Sequence, residues 1–448
     1  MERFEEKGEW WLPGREDRKK PGILIVDELG NSELALLGTL RDRHEGGIQT
    51  TSNGVTVTAY SQDSLEASGT YPRIHGQVGT QAFTLEDCFQ KQSSSNLMGG
   101  LATEAIHVHQ VFKGAWFEEG EGTEAVAISF EPRFLAHWVR KGGISEQLFL
   151  RDSDRPDGSD TRFVVTGHDV PHDNAQLTDG STLGLRQVLH LTGDGVSGRA
   201  VSQEYLFRID ATEVKSVSEL VDVASDLQDL ISIATNRTAS FEKMDFRHPD
   251  VKREREGKSD YLLPIAFYTA WIAQRDDRKP PHEMLFKFTD FGGMTAVAEW
   301  ARVAAVHRSA LGRVMATRYS KSMYVSDRML NRAASLESFD RQVNADSVHF
   351  KQRMLRCADL AGDRFNEMIV DRNKWANLVK GDRNDIAHHL GRSRESAEQF
   401  FLSETLYWLF VICMLREMRA PESVFSSLAA HSEFQWLSTK VGAIIRAA

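Results

Sequence analysis

The hydrophobic pattern of this chain changes period once, near residue 210. Before that point apolar residues come in short alternating runs, at 22–26 (Gly-Ile-Leu-Ile-Val), 33–37 (Glu-Leu-Ala-Leu-Leu), 55–60, 104–112, 125–130, 162–166 and 203–209. Branched residues in runs of this length, separated by Gly, Asp, Asn and Ser, predict strands in sandwich-like sheets. Gly30-Asn31 between the first two runs predicts a hairpin turn. Residues 151–160 (RDSDRPDGSD) read as a long loop.

After residue 210 the spacing lengthens to three and four. Val217, Leu220, Val221, Ala224, Leu227, Leu230 and Ile231 form one apolar stripe, so 213–235 is predicted as a helix with one buried face. A mixed stretch follows, with a basic segment at 252–258, an apolar run at 261–272 interrupted by Pro264, and a breaker at 275–281 (RDDRKPP). From Met294 onward helices are expected at 294–316, 326–344, 347–370, 372–380, 384–391, 396–418 and 431–446. The domain boundary is drawn near 320, which leaves a β-rich region over 1–320 with two connecting helices and an all-α region over 321–448. The fold class is therefore α+β multidomain.

Composition narrows the picture. A hydrophobic fraction of 41 % with 26 % charged residues describes a globular chain with a sizeable core. The most apolar run, 407–415, is about half of the ~18–20 residues a membrane span needs, and the charged N-terminus lacks the apolar core of a signal peptide. A cytoplasmic location without a membrane partner is expected. Cys88, Cys357 and Cys413 are three in number and far apart, which fits neither a disulfide framework nor a zinc cluster. The net charge of −10 is uneven: residues after 320 carry 18 Lys/Arg against 16 Asp/Glu, and 351–394 carry 10 against 6. A basic island on an acidic chain suits a local phosphate site better than a long nucleic-acid groove.

That island holds the informative segment, Gly381-Asp-Arg-Asn-Asp-Ile-Ala-His-His-Leu-Gly391. Asn384 and His388 are four apart and share a helix face. Arg383 lies about 140° around from His388 on an ideal helix. Convergence is expected if Arg383 sits at a helix entrance, with Gly381 and Asp382 as loop and N-cap and with Asp385 in the first turn. A guanidinium, an amide and an imidazole at a helix N-terminus would attract phosphate. They also meet the needs of metal-free RNA cleavage: imidazole moves protons near neutrality, and Arg stabilises charge on phosphorane oxygens.

At these residues the chain resembles the HEPN ribonucleases, whose Arg-Asn-x-x-x-His motif is matched by Arg383, Asn384 and His388. The segment 328–341 (RMLNRAASLESFDR) is similar to the first helix of the ApeA-like HEPN group. Gly8-Glu-Trp-Trp-Leu-Pro and Pro21-Gly-Ile-Leu resemble the opening of the β-rich domain that precedes HEPN in ApeA proteins, and 294–316, with Glu299-Trp300, resembles that family's connector. The resemblance implies a bacterial abortive-infection, anti-phage ribonuclease that cuts RNA, tRNA among the candidates. It also implies a pair of HEPN domains facing each other in a homodimer or larger even-numbered oligomer, with no cofactor and no metal. The N-terminal domain would sense a phage-derived trigger or restrain the nuclease. Glu337 matches a polar residue of the family's first helix that supports the imidazole or lines the site, and His389 is a histidine beyond the motif. The opposing reading is a non-catalytic RNA- or protein-binding adaptor in which Arg383 merely pairs with Asp382 or Asp385.

Other constellations carry less. His107 and His109 share a strand face but lack a third ligand, and His168 and His172 lie with Asp169 and Asp173 in a loop. Trp10-Trp11 reads as a hydrophobic plug. The pair Arg372-Asn373 is completed by no histidine, since Asn377 and Leu378 follow it. The apolar helix at 396–418, with Phe400, Phe401, Leu406, Trp408, Leu409 and Ile412, looks richer than one bundle face can absorb, which favours an intermolecular surface.

Overall fold

The expected hairpin forms as the sequence dictates. Lys20–Val26 pairs antiparallel with Ser32–Leu37, and Asp27 accepts hydrogen bonds from the amides of Leu29 (2.8 Å) and Asn31 (2.9 Å) across the turn. Gly30 takes φ +81°, and a Cβ there would meet the Thr269 carbonyl. The computed structural model describes residues 3–41, 48–52, 55–59, 69–94, 102–118, 123–149, 162–254, 260–270, 283–320, 322–388 and 394–448. The loop expected at 151–160, the breaker at 275–281 and most of the basic segment at 252–258 lie outside the described residues.

The chain divides into two units. The first comprises 1–129, 213–217 and 241–272. Here six antiparallel strands close on themselves: Phe4–Trp11, Lys20–Val26, Ser32–Leu37, Thr103–Val108, Gln81–Ser94 and Thr70–Val78, the last pairing back to the first. The β-rich expectation holds, but the sheet is a barrel rather than a sandwich. Closure depends on Gln81–Ser94, which is long enough to pair with Thr70–Val78, Thr103–Val108 and Gln110–Lys113. Such long-range pairing leaves no local sequence mark. Inward positions alternate as predicted, with Trp10, Leu24, Val26, Leu34, Leu36, Ile74, Phe83, Leu85, Ile106 and Val108 in one buried cluster. Trp10 and Trp11 are both buried, as the plug reading expects, and a Cβ at Gly76 would overlap the Trp10 indole. Phe241–Arg253 and Tyr261–Thr269 add a hairpin, joined through Gln110–Lys113 to the barrel strand Gln81–Ser94.

The second unit comprises 130–212, 218–240 and 273–448. Asp173–Gln176, Thr182–Thr192 and Ala200–Ser216 form an antiparallel ladder. The principal helices are α1 (Val217–Thr235), α2 (Gly293–Tyr319), α3 (Val325–Val343), α4 (Phe350–Ala361), α5 (Asp363–Ile369), α6 (Arg372–Ala387), α7 (Ser396–Glu417), α8 (Glu422–Ala430) and α9 (Ser432–Ala447). Two expectations fail on helix boundaries. The single helix at 347–370 breaks at Gly362, which takes φ +82° between α4 and α5, and 372–380 runs on through 384–387 as one helix, α6, while 389–391 of the expected second helix lie outside the described residues.

The bundle centres on α7, which packs against α2, α3, α4, α6 and α9. Leu406, Trp408, Leu409 and Ile412 are all at most 1 % exposed within the single chain. The bundle therefore absorbs these four, and α7 is its core helix, while Phe400 and Phe401 in its first turns stay half-buried. By length and composition α7 could cross a membrane, but 83 % of its most apolar window is buried within the bundle. The sequence-drawn boundary near 320 falls inside this unit, because α2 packs on α3 and α7.

Candidate functional site

The site is built on α6. Its N-cap is Asp371, whose carboxylate accepts from the amides of Asn373 (2.9 Å) and Lys374 (3.0 Å). Trp375, Ala376, Val379 and Asp382 form its buried stripe, and the Trp375 indole donates to Thr405 Oγ1 on α7 at 2.9 Å. This corrects the placement of the motif. Gly381-Asp382 is not a helix entrance, and Arg383 and Asn384 belong to the last turns of a 16-residue helix that ends at Ala387. A mid-helix glycine costs about 1 kcal/mol relative to alanine, and the buried residues on either side of Gly381 offset that. His388 is the C-cap, with φ −101° and its amide donating to the Asn384 carbonyl at 3.0 Å. A helix C-terminus presents carbonyls and partial negative charge, so the dipole does not draw phosphate here. That attraction has to come from side chains.

Arg383 supplies it. On a continuous helix its backbone points away from His388, but its long side chain folds back. Arg383 Nη1 donates to Asn384 Oδ1 at 3.3 Å, so the guanidinium leans toward the residue that shares a face with His388. Glu337 on α3 stands 3.6 Å from Nη2, and the Phe350 ring at the start of α4 lies 5.6 Å beneath the guanidinium carbon. The guanidinium is held from three elements and is still 34 % exposed, while Glu337 is 19 % exposed. His388 is exposed at the end of the same helix. Arg341, one turn beyond Glu337 on α3, lies 3.9 Å from the same carboxylate.

The structure thus brings together Arg383, Asn384 and Glu337, with His388 at the adjoining helix end. The link of Glu337 to the site runs through the guanidinium. His389, Leu390 and Gly391 lie outside the described residues. Asp382 does not pair with Arg383: its carboxylate accepts from Arg394 Nε at 3.1 Å, and Arg394 also reaches Glu398 of α7 at 3.5 Å. Burial pushes the Asp382 carboxyl above its usual range, and the Arg394 guanidinium opposes that.

Sequence reasoning missed this clamp and the Phe350 platform. The clamp had a signal: Asp382 falls on the Trp375–Val379 stripe at helical spacing, and a carboxylate on a buried face needs a cation. Phe350 had none, since nothing local ties it to Arg383. Elsewhere, His107 contacts Phe89 at 4.7 Å between ring centroids and His168 bonds to Ser145 Oγ at 2.8 Å. Among the described residues no group of three or more His, Cys, Asp or Glu could hold a metal ion.

The β-barrel region and the helical region that follows it in sequence make this an α+β protein. Comparison with known families places it further: ApeA N-terminal domain 1 matches residues 5–300, and the Apea-like HEPN family matches residues 318–424. The chain belongs to the ApeA-like HEPN family. No curated protein and no solved structure gave a match.

Proposed function

We propose that this protein is a metal-independent endoribonuclease acting in anti-phage abortive infection in the cytoplasm, with structured RNA such as tRNA as substrate. The observation that carries the reading is the Arg383 guanidinium, oriented by Glu337 and Asn384 over Phe350 yet open to solvent in the last turn of the helix that His388 caps. At 34 % exposure the guanidinium is held in place and can still reach an anion from solvent. In this reading Arg383 binds the scissile phosphate and stabilises the charge that gathers on its non-bridging oxygens. His388 takes the proton from the ribose 2′-hydroxyl as its oxygen bonds to phosphorus, or gives one to the departing 5′-oxygen. Asn384 donates to phosphate or fixes the imidazole. The phosphorus–5′-oxygen bond breaks, leaving a 2′,3′-cyclic phosphate and a 5′-hydroxyl. The N-terminal region senses a phage-derived trigger or restrains the nuclease, and a homodimer or larger even-numbered oligomer supplies a second histidine.

Incubating the purified protein with total RNA in EDTA and mapping the new ends tests this. Cyclic-phosphate ends that vanish in His388→Ala support it. A binding-only adaptor would retain RNA affinity and yield no new ends with wild type, trigger present or absent. A strict need for added Mg²⁺ would point to a different nuclease chemistry.

A further inference from the structure

We infer that the helical unit carries a second site, separate from Arg383 and His388, that binds a phosphorylated nucleoside through Arg237 and Arg328. A cavity of ≈ 280 Å³ opens where the segment after α1, the end of α2, the first turn of α3 and the middle of α7 meet. Three guanidiniums line it, and they differ in state. Arg318 is compensated: it donates to Asn236 Oδ1 at 2.5 Å, lies 3.5 Å from Glu404 and 3.9 Å from Glu433, and stacks 4.6 Å over the Tyr407 ring. Arg237 and Arg328 are not. Each has a buried Nε without a hydrogen-bond partner, and neither has an acidic partner among the described residues. Arg328 is doubly disfavoured, because a cation in the first turn of α3 also opposes that helix's dipole. Both residues line one cavity with no carboxylate paired to either guanidinium, so an anion with forked acceptors held there would meet their charge. A phosphate dianion matches both their charge and their geometry. Thr238 lines the same cavity.

The adjoining space says what else the ligand carries. A second cavity of ≈ 630 Å³ shares Asn236, Arg237 and Glu433 with the first and extends to His431 and Trp436. Trp436 meets Phe401 edge-to-face at 5.3 Å and is still 48 % exposed, an unusual state for an indole, and it provides a platform on which a base can stack. Together the cavities offer the roughly 300–1,000 Å³ typical of small-ligand sites. The phosphate sits between Arg237 and Arg328, and the base lies outward against Trp436.

Calorimetric titration of the full chain with AMP, GMP, CMP and UMP, the free nucleosides and inorganic phosphate tests the assignment. At least one nucleoside monophosphate should bind, with its nucleoside and inorganic phosphate each at least about 10-fold weaker. Arg237→Gln and Arg328→Gln should each weaken it at least about 10-fold while circular dichroism stays unchanged, with Arg328→Lys recovering part of the loss. Trp436→Ala should weaken the nucleotide but leave inorganic phosphate unaffected. Binding is read without RNA and should persist in His388→Ala, so failure here leaves the nuclease reading standing. No heat with any monophosphate, equal affinity for nucleoside and nucleotide, or binding indifferent to both arginine substitutions would overturn the proposal.

Discussion

Glu337 and Arg383 stand 3.6 Å apart across the α3–α6 contact, one 19 % and the other 34 % exposed. The pair is partly wet, so its contribution to stability is small, at most about 1 kcal/mol. Its effect on orientation is larger. It takes a flexible side chain whose helix position points it away from His388 and fixes the guanidinium where Asn384 can also hold it.

Replacing Arg383 or His388 by Ala should lower RNA cleavage at least about 10²–10³-fold, because each removes a group assigned to transition-state charge or proton transfer. Both side chains are outside the packed stripe of α6, so melting temperature should change little. Folded variants cutting at wild-type rates would take these residues out of the mechanism.

Glu337→Gln keeps the size of the side chain and removes the charge that steers Arg383. A positioning residue of this kind should cost roughly 10-fold in kcat, because misplacement of a charge-stabilising group raises the barrier by about one 1.4 kcal/mol step. RNA affinity should hold or rise, since the guanidinium loses its competing anion. Equal losses in kcat and affinity would assign Glu337 to RNA binding instead.

Much of this was legible in the sequence, for identifiable reasons. The apolar stripe at 217–231 gave its helix, and Gly30-Asn31 gave its hairpin, because both signals are local. The residues of the motif were legible, but their position on the helix was not. Gly381-Asp382 has the propensities of a loop and cap, and tertiary burial of Asp382 against Arg394 overrode them. Barrel closure was invisible because it depends on pairing Gln81–Ser94 with three other strands. Leu406, Trp408, Leu409 and Ile412 suggested an outer surface because the number of helices around α7 was unknown.

The Asp382–Arg394 clamp ties the chain after α6 to the start of α7. Arg394→Ala leaves a buried carboxylate without its cation and should destabilise the protein by about 3 kcal/mol, whereas Asp382→Asn removes the charge itself and should cost less. Urea denaturation of the two variants checks the order, and the reverse order would show that the clamp is solvated.

Asp226 on α1 makes stability depend on pH. It is 3 % exposed and bonded to Arg308, yet burial pushes its pKa up to about 6. The unfolded value is about 3.9, so between the two the folded protein holds the extra proton. Its contribution is therefore favourable below about pH 4 and fades as pH rises through 6. The swing is on the order of 3 kcal/mol. The urea midpoint of wild type should fall relative to Asp226→Asn between pH 4 and 6.5. A difference between the two that stays flat over that range would show that Arg308 already holds Asp226 ionised.

Assembly is the prediction on which the chemistry leans most. Cleavage needs one group to take the 2′-hydroxyl proton and another to protonate the 5′-oxygen, and each motif supplies one His388. Burial of Leu406, Trp408, Leu409 and Ile412 within the single chain leaves only the half-buried Phe400 and Phe401 to the apolar argument for pairing, so the proton count carries it. It also moves the expected contact from α7 to the exposed end of α6, where His388 sits. A twofold contact there would set two histidines and two arginines about one phosphate. Light scattering under conditions of full activity should therefore give twice the monomer mass or a larger even multiple. Inactive His388→Ala protein mixed in excess with wild type should suppress cleavage by forming mixed pairs. A monomer mass at full activity, or wild-type activity untouched by the excess variant once subunits have exchanged, would mean that one motif performs both proton transfers alone.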